Sequence, residues 1–243
     1  MRVSRIYTES VLSENSHIEL DNDTSHYLLK VLRLKTGSPL ILFNGDGYEY
    51  ECELVSSDRK TAGIQVNEQS EKEKPSALNI HLGIGLSKGD RLDIAFQKAT
   101  ELGVTEITPL FTEHATLKLN EERLKKKTSH WQGIIRSACE QSGRCYLARL
   151  NPPRSVNKWL QQTFPGLKIV LSPNESQTMD SYIAPQNLTM LVGPEGGLSQ
   201  VEVAAAIEQG FMATRLGKHV LRTETAPLAV IAAAQALWGD FRG

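Results

Sequence analysis

Two glycine-bearing turns near the C-terminus hold the residues best placed for chemistry. The first is Gly193-Pro194-Glu195-Gly196-Gly197-Leu198-Ser199. The second is Leu216-Gly217-Lys218-His219-Val220-Leu221-Arg222-Thr223-Glu224-Thr225-Ala226. Glycine tolerates positive φ and lets a ligand approach bare backbone. Pro194 has no N–H and stops strand pairing. Ser199 with Glu202 has capping-box spacing, which predicts a helix that Gly210 ends. Free amides at a helix N-terminus suit an electron-rich ligand. Read alone, such a turn could equally be a tight strand-to-helix connection with no ligand. Two glycine turns at the carboxyl ends of two strands of one α/β domain usually flank one crevice.

The elements that must position these turns are legible around them. Leu188 to Val192 is short, apolar and uninterrupted, and reads as a buried strand. Leu167 to Leu171 and Phe211 to Leu216 read likewise. An Ala-rich helix is expected from Ala226 to Leu237. Upstream, Ile80 to Leu86 is a strand, a helix runs from about Asp90 to Leu102, and Thr105 to Phe111 is the next strand. A long helix from about Glu121 to Ser142 carries the stripe Trp131, Ile134, Ile135, Ala138 and Cys139. Asn157 to Thr163 is a shorter helical candidate. Such alternation argues an α/β fold with a parallel sheet. Gly83-Ile84-Gly85-Leu86-Ser87-Lys88-Gly89 is a near miss to a dinucleotide fingerprint, since its third glycine comes one position late. It reads better as a strand exit that presents Lys88 and Arg91.

The first 70 residues follow another pattern. Leu40 to Phe43 and the segment from Tyr48 flank Asn44-Gly45-Asp46-Gly47, a hairpin signal. Tyr48, Tyr50, Cys52 and Leu54 alternate with Glu49, Glu51 and Glu53, giving one buried and one wet face. A third strand is expected near Thr61 to Val66. Asp23 to Leu34 reads as a helix capped by Asp23, with Tyr27, Leu28, Val31 and Leu32 inward. Glu71 to Ser76 reads as a linker. The expected domains are therefore 1–72, β-rich, and 73–243, α/β.

The chain has 243 residues and a formal charge of −1, so no global basic field advertises nucleic acid. Residues 1–73 hold 8 Lys and Arg against 13 Asp and Glu, net −5; the remainder is +4. Contact with RNA would have to use local patches. Basic residues gather at Arg2, Arg5, Lys30, Arg33 and Lys35, read either as solubilising charge or as phosphate contacts. Cys52, Cys139 and Cys145 are odd in number and lack C-x-x-C spacing, so neither a disulfide framework nor a metal site is expected. No signal peptide is evident, and the apolar run from Ala226 to Trp238 is too short to span a bilayer. A cytoplasmic protein is expected.

The motifs Gly193-Pro194-Glu195-Gly196-Gly197, Leu216-Gly217 and Leu221-Arg222-Thr223-Glu224-Thr225-Ala226 closely resemble the RsmE family. These are 16S ribosomal RNA (uracil-N3)-methyltransferases of the SPOUT superfamily. The resemblance implies a C-terminal trefoil-knotted parallel-sheet domain, although knots are rare in general. It also implies a small N-terminal PUA-like β-barrel, the cofactor S-adenosyl-L-methionine, 16S ribosomal RNA or the 30S subunit as partner, and a homodimer. No metal is implied. Cofactor contacts carry over to Leu171, Ser172, Pro173, Val192, Gly193, Glu195, Gly196, Gly197, Leu216, Gly217, Val220, Leu221, Arg222, Thr223 and Ala226, with Leu228 as a further apolar wall. RNA contacts carry over to Arg5, His26 and Arg33, the last in Val31-Leu32-Arg33; Arg2 and Lys30, which cluster with them, and Lys88 and Arg91, presented at the strand exit, are read as further RNA contacts. Here Leu198 stands where the family often has Phe, and Cys145-Tyr146-Leu147 where it often has Pro.

The implied chemistry is a displacement at an activated methyl, for which the protein mainly aligns the reactants, worth on the order of 7–11 kcal/mol. The uracil N3 proton must also leave, which a base or a stabilising cation assists. Arg144, Arg222 and Glu195 are the candidates. Each has a structural alternative: Arg144 as counter-charge to a helix end, Arg222 as a loop anchor, Glu195 as a cap for loop amides. His114 and His219 read as surface or packing residues.

Overall fold

The computed structural model describes residues 3–58, 61–115, 120–172 and 177–242. The chain divides into two compact units. One comprises Met1–Pro75 with Cys139–Leu147; the other comprises Ser76–Ala138 with Ala148–Gly243.

The first unit is built on a five-stranded sheet. Its strands are β1 (Ser4–Tyr7), β2 (His17–Glu19), β3 (Pro39–Phe43), β4 (Tyr48–Ser57) and β5 (Ala62–Glu71), in the order β1-β3-β4-β5-β2. The hairpin lies where the Asn-Gly-Asp-Gly signal puts it, with Leu40 opposite Cys52 and Leu42 opposite Tyr50. The alternation holds from Tyr50 to Leu54, with Tyr50, Cys52 and Leu54 buried and Glu51 and Glu53 exposed, but Glu49, expected on the wet face, is turned to Arg5 with a side chain 12% exposed. β5 runs longer than the sequence pattern suggests.

The helical segment differs from expectation in two ways. Asp21, not Asp23, caps α1 (Asn22–His26), accepting from the Thr24 amide. The segment then continues as a π-helical turn over Tyr27–Val31, with the Leu32 amide donating to the Tyr27 carbonyl. A π turn adds a residue to the repeat and rotates the apolar face. Leu28 is buried, and Leu29 and Leu32 pack on the core with it. Tyr27 and Val31, expected inside, are 38% and 59% exposed.

The second unit is an α/β sheet whose pairings are all parallel, in the order β12-β10-β11-β6-β7-β8. In chain order its elements begin with β6 (Asn79–Gly85), α2 (Arg91–Glu101), β7 (Glu106–Phe111), α3 (Glu121–Ser142) and β8 (Arg149–Leu150). β9 (Arg154–Ser155), α4 (Val156–Leu160), β10 (Leu167–Leu171) and β11 (Asn187–Val192) follow. α5 (Gln200–Glu208), β12 (Met212–Thr214) and α6 (Thr225–Trp238) complete it; the last residues of α3 fall in the first unit. Strands buried on both faces explain the continuous apolar runs. α2 packs on α6 and α4 on α5. Trp159, fully buried, anchors one core cluster with Leu110, Val170, Leu191 and Phe211. Its ring lies 4.7 Å from Phe164 and 5.7 Å from Phe211. A Cβ on Gly83 would stand 2.6 Å from the Trp159 ring, so the first glycine of the near-miss motif serves packing.

Candidate functional site

Three neighbouring strands end on one cleft. Leu171 closes β10, Val192 closes β11 and Thr214 closes β12, and all three line it. Its volume is about 920 Å³, within the range of small-molecule and cofactor sites. A crevice at the carboxyl ends of parallel strands is the usual ligand position in such sheets.

Both glycine turns reach this cleft. Ser199 and Glu202 form the expected capping box, and the helix stops at Gly210 in a left-handed conformation. Glu202 is buried; besides the Ser199 amide, it accepts from the Glu113 amide at 2.8 Å. One carboxylate thereby ties the helix start to the end of β7. The first turn closes with the Gly197 amide donating to the Pro194 carbonyl, and His114 Nδ1 sits 3.0 Å from the Gly196 carbonyl. Gly85 makes room for it: a Cβ there would lie 2.5 Å from Pro194 Cδ and 2.6 Å from its nitrogen. In the second turn Gly217 has φ +77, and the Arg222 carbonyl accepts from the Thr225 and Ala226 amides as α6 begins.

Of the expected cofactor residues, Leu171, Ser172, Val192, Gly193, Glu195, Gly196, Gly197, Leu216, Gly217, Val220, Leu221, Arg222, Thr223 and Ala226 all line this single cleft. Pro173 lies outside the described residues. Leu228 is not among the lining residues; α6 contributes Ala226 instead. The α5 residues Val203, Ala204 and Ile207 add an apolar wall that the motifs did not indicate. Their signal was the helical spacing after the capping box.

The charged groups are arranged differently from expectation. Arg91, assigned from sequence to RNA, lines the cleft and pairs with Glu195 at 2.7 Å. Its Nε also faces Glu224 Oε2 at 3.8 Å. Glu195 Oε1 accepts from the Lys88 amide at 3.2 Å as well. Glu195 therefore sits against the start of α2, where the helix dipole favours an anion. These contacts tie Glu195 to Arg91 and to the Lys88 amide at the edge of the cleft. Arg222 is exposed at the cleft, and among the described residues its guanidinium has no ion-pair partner.

The other expected residues lie elsewhere. Arg144 belongs to the first unit, with a side chain 12% exposed and Nε 3.3 Å from Glu73 Oε1. Arg5, expected to meet phosphates, is turned inward with a side chain 10% exposed. Its Nη1 donates to the Cys139 carbonyl at 2.6 Å, so Arg5 is a cation at this helix end. His26, Lys30 and Arg33 remain exposed, as does Lys88. Arg2 lies outside the described residues. The three thiols are free and buried; burial pushes Cys52 up to about 12 and Cys139 up to about 11, which leaves them unreactive. Among the described residues no group of three or more His, Cys, Asp or Glu could hold a metal.

Known proteins match this arrangement along its whole length. The model of an RNA methyltransferase domain matches residues 73–235, and that of an RNA methyltransferase PUA domain matches residues 20–66. The ribosomal RNA small subunit methyltransferase E of Buchnera aphidicola subsp. Schizaphis graminum is 36% identical over 241 residues, covering 98% of both chains. That of Bacillus subtilis is 31% identical, covering 93% of this chain and 92% of its own. Among solved structures, the Neisseria gonorrhoeae ribosomal RNA small subunit methyltransferase E bound to S-adenosyl methionine superposes with a TM-score of 0.91. It is 36% identical and covers 99% of this chain and 100% of its own. A Legionella pneumophila methyltransferase in complex with its cofactor SAM gives 0.94 at 35% identity, with the same coverage. The chain belongs to the ribosomal RNA small subunit methyltransferase E family.

Proposed function

We propose that this protein transfers the methyl group of S-adenosyl-L-methionine to N3 of a uridine in 16S ribosomal RNA of the small subunit. The observation that carries the reading is the meeting of both glycine turns in one cleft at the carboxyl ends of β10, β11 and β12. The residues fit the cofactor. The turns offer bare backbone, and Leu171, Val192, Leu198 and Leu221 offer apolar walls. Relatives crystallised with this cofactor support the same assignment.

When bound, S-adenosyl-L-methionine supplies an activated methyl group. The chain supplies alignment and charge. Glu195, fixed by Arg91 and the Lys88 amide, holds the first turn in place. Arg222 steadies the uracil anion left when the N3 proton passes to water, because a cation beside that charge lowers its cost. Arg144 is assigned to the acceptor RNA, as a contact to the uracil or its phosphates. His26, Lys30, Arg33 and Lys88 are assigned to phosphates. A knotted C-terminal segment, a homodimer and a cytoplasmic setting complete the proposal. Among the described residues no helix is long and apolar enough to cross a membrane.

The test is nucleoside mass spectrometry of small-subunit RNA from a strain lacking the gene. Loss of 3-methyluridine, restored with the gene, is expected. Loss of a ribose-methylated nucleoside instead, or no change, would defeat the proposal.

A further inference from the structure

The segment Cys139–Leu147, which carries Arg144, is held inside the first unit by two partly buried charged side chains, Arg5 and Glu73. Arg5 of β1 donates through Nη1 to the Cys139 carbonyl at 2.6 Å. Its Nη2 donates to the Arg144 carbonyl at 2.9 Å and contacts Cys145 Sγ at 3.0 Å. Its Nε donates to Glu49 at 2.6 Å, and the guanidinium lies 3.9 Å over the Phe43 ring. Glu73 grips the same segment. Its carboxylate accepts from the Cys145 amide, from the Tyr146 amide at 3.0 Å and from Arg144 Nε at 3.3 Å. Glu73 is itself fixed, because its amide donates to the Gly47 carbonyl at 3.1 Å.

This is more machinery than a connecting loop requires. A helix end needs partners for its last carbonyls, which water or a glycine cap can provide. The Gly143 amide already reaches the Cys139 carbonyl at 3.1 Å. Charge-assisted bonds are strong and directional, but burying charge has a desolvation cost that can cancel their contribution to stability. What the pair of charges does give is a single backbone path through 144–146 and a fixed Nε for Arg144.

We infer that Arg5 and Glu73 are positioning residues that set Arg144 for the acceptor RNA. The inference rests on the assignment of Arg144 proposed above. It also removes Arg5 from the phosphate contacts.

The test uses full-length protein and small subunits from a strain lacking the modification. Turnover, cofactor affinity by calorimetry and the salt dependence of RNA binding are measured for Arg5→Lys, Glu73→Gln, Arg144→Ala and the double variant Glu73→Gln/Arg144→Ala. Glu73→Gln, nearly isosteric, keeps the fold testable if Arg5→Lys is unstable. Glu73→Gln and Arg5→Lys are each expected to lower turnover roughly tenfold or more, with cofactor affinity unchanged. In the Arg144→Ala background, Glu73→Gln should add nothing. Arg5→Lys should leave the salt slope unaltered, whereas losing a phosphate contact lowers it by about one. Normal turnover in Glu73→Gln beside an impaired Arg144→Ala, additive losses, or a reduced slope in Arg5→Lys would overturn the inference alone. Full turnover in Arg144→Ala would overturn the parent assignment and the inference together.

Discussion

Arg91 and Glu195 are joined by a 2.7 Å contact between Nη1 and Oε1, which binds the start of α2 to the first glycine turn. The same guanidinium faces Glu224 of the second turn at 3.8 Å. One cation thus spans both halves of the cleft. Its side chain is 43% exposed, so solvent screens the pair and its worth is about 1 kcal/mol or less. Arg91→Lys keeps the charge but loses the fork that reaches two carboxylates. Calorimetry should show S-adenosyl-L-methionine binding roughly fivefold weaker in Arg91→Lys and somewhat weaker again in Arg91→Ala. Unchanged affinity in both would show that the turns hold themselves.

Gly85 is the wall against which the first glycine turn packs. A Cβ there would meet Pro194 backbone and ring, neither of which can swing aside as a flexible side chain would. Gly85→Ala should therefore displace the first turn, costing about 1–3 kcal/mol of stability and most of the cofactor affinity. A variant with normal melting temperature and normal affinity would contradict the packing described.

His81 provides a pH signature away from the cleft. Its side chain is 12% exposed, with Nε2 2.8 Å from Thr108 Oγ1 and 3.8 Å from Glu106. Burial pulls it down to about 4, with Arg149 and Arg154 adding and Glu106 opposing. The folded state then refuses a proton that the unfolded chain accepts below about 6.5. Stability is full above that pH and falls as pH drops toward 4, by on the order of 2 kcal/mol at pH 5. Glu106, held below its ordinary value by bonds from Asn151 and Arg149 despite burial, extends the loss to lower pH. Urea unfolding of His81→Gln at pH 7.5 and pH 5 should show a smaller drop than the parent chain. An equal drop would rule out this source.

Lys30, within the π turn, and Arg33, just beyond it, stay exposed. Lys30→Ala and Arg33→Ala should each weaken RNA binding across sequences and reduce the salt slope by about one. Filter binding over a salt series measures this. An unaltered slope would place the RNA on another face.

Much of this was readable in the sequence because it is local. The capping box at Ser199 and Glu202, the hairpin at Asn44 to Gly47 and the stripe on α3 each depend on neighbours within a few positions. Most of the cleft-lining residues were legible because two short motifs carry them. The charged partners were not. Arg91 lies 104 residues from Glu195, and Arg5 lies 134 from Cys139. No spacing rule connects such pairs, so a basic residue reads by default as surface. The π turn was missed for another reason: it changes the repeat by one residue, and Tyr27 and Val31 fit an α-helical stripe equally well until the backbone is known.

The most direct measurement is transfer of labelled methyl from S-adenosyl-L-methionine to small subunits that lack the modification, followed by identification of the labelled nucleoside. The account predicts label in 3-methyluridine at one site per 16S RNA, and strongly reduced label with Arg222→Ala. Label in a ribose-methylated nucleoside, or no label from protein that binds the cofactor, would contradict it.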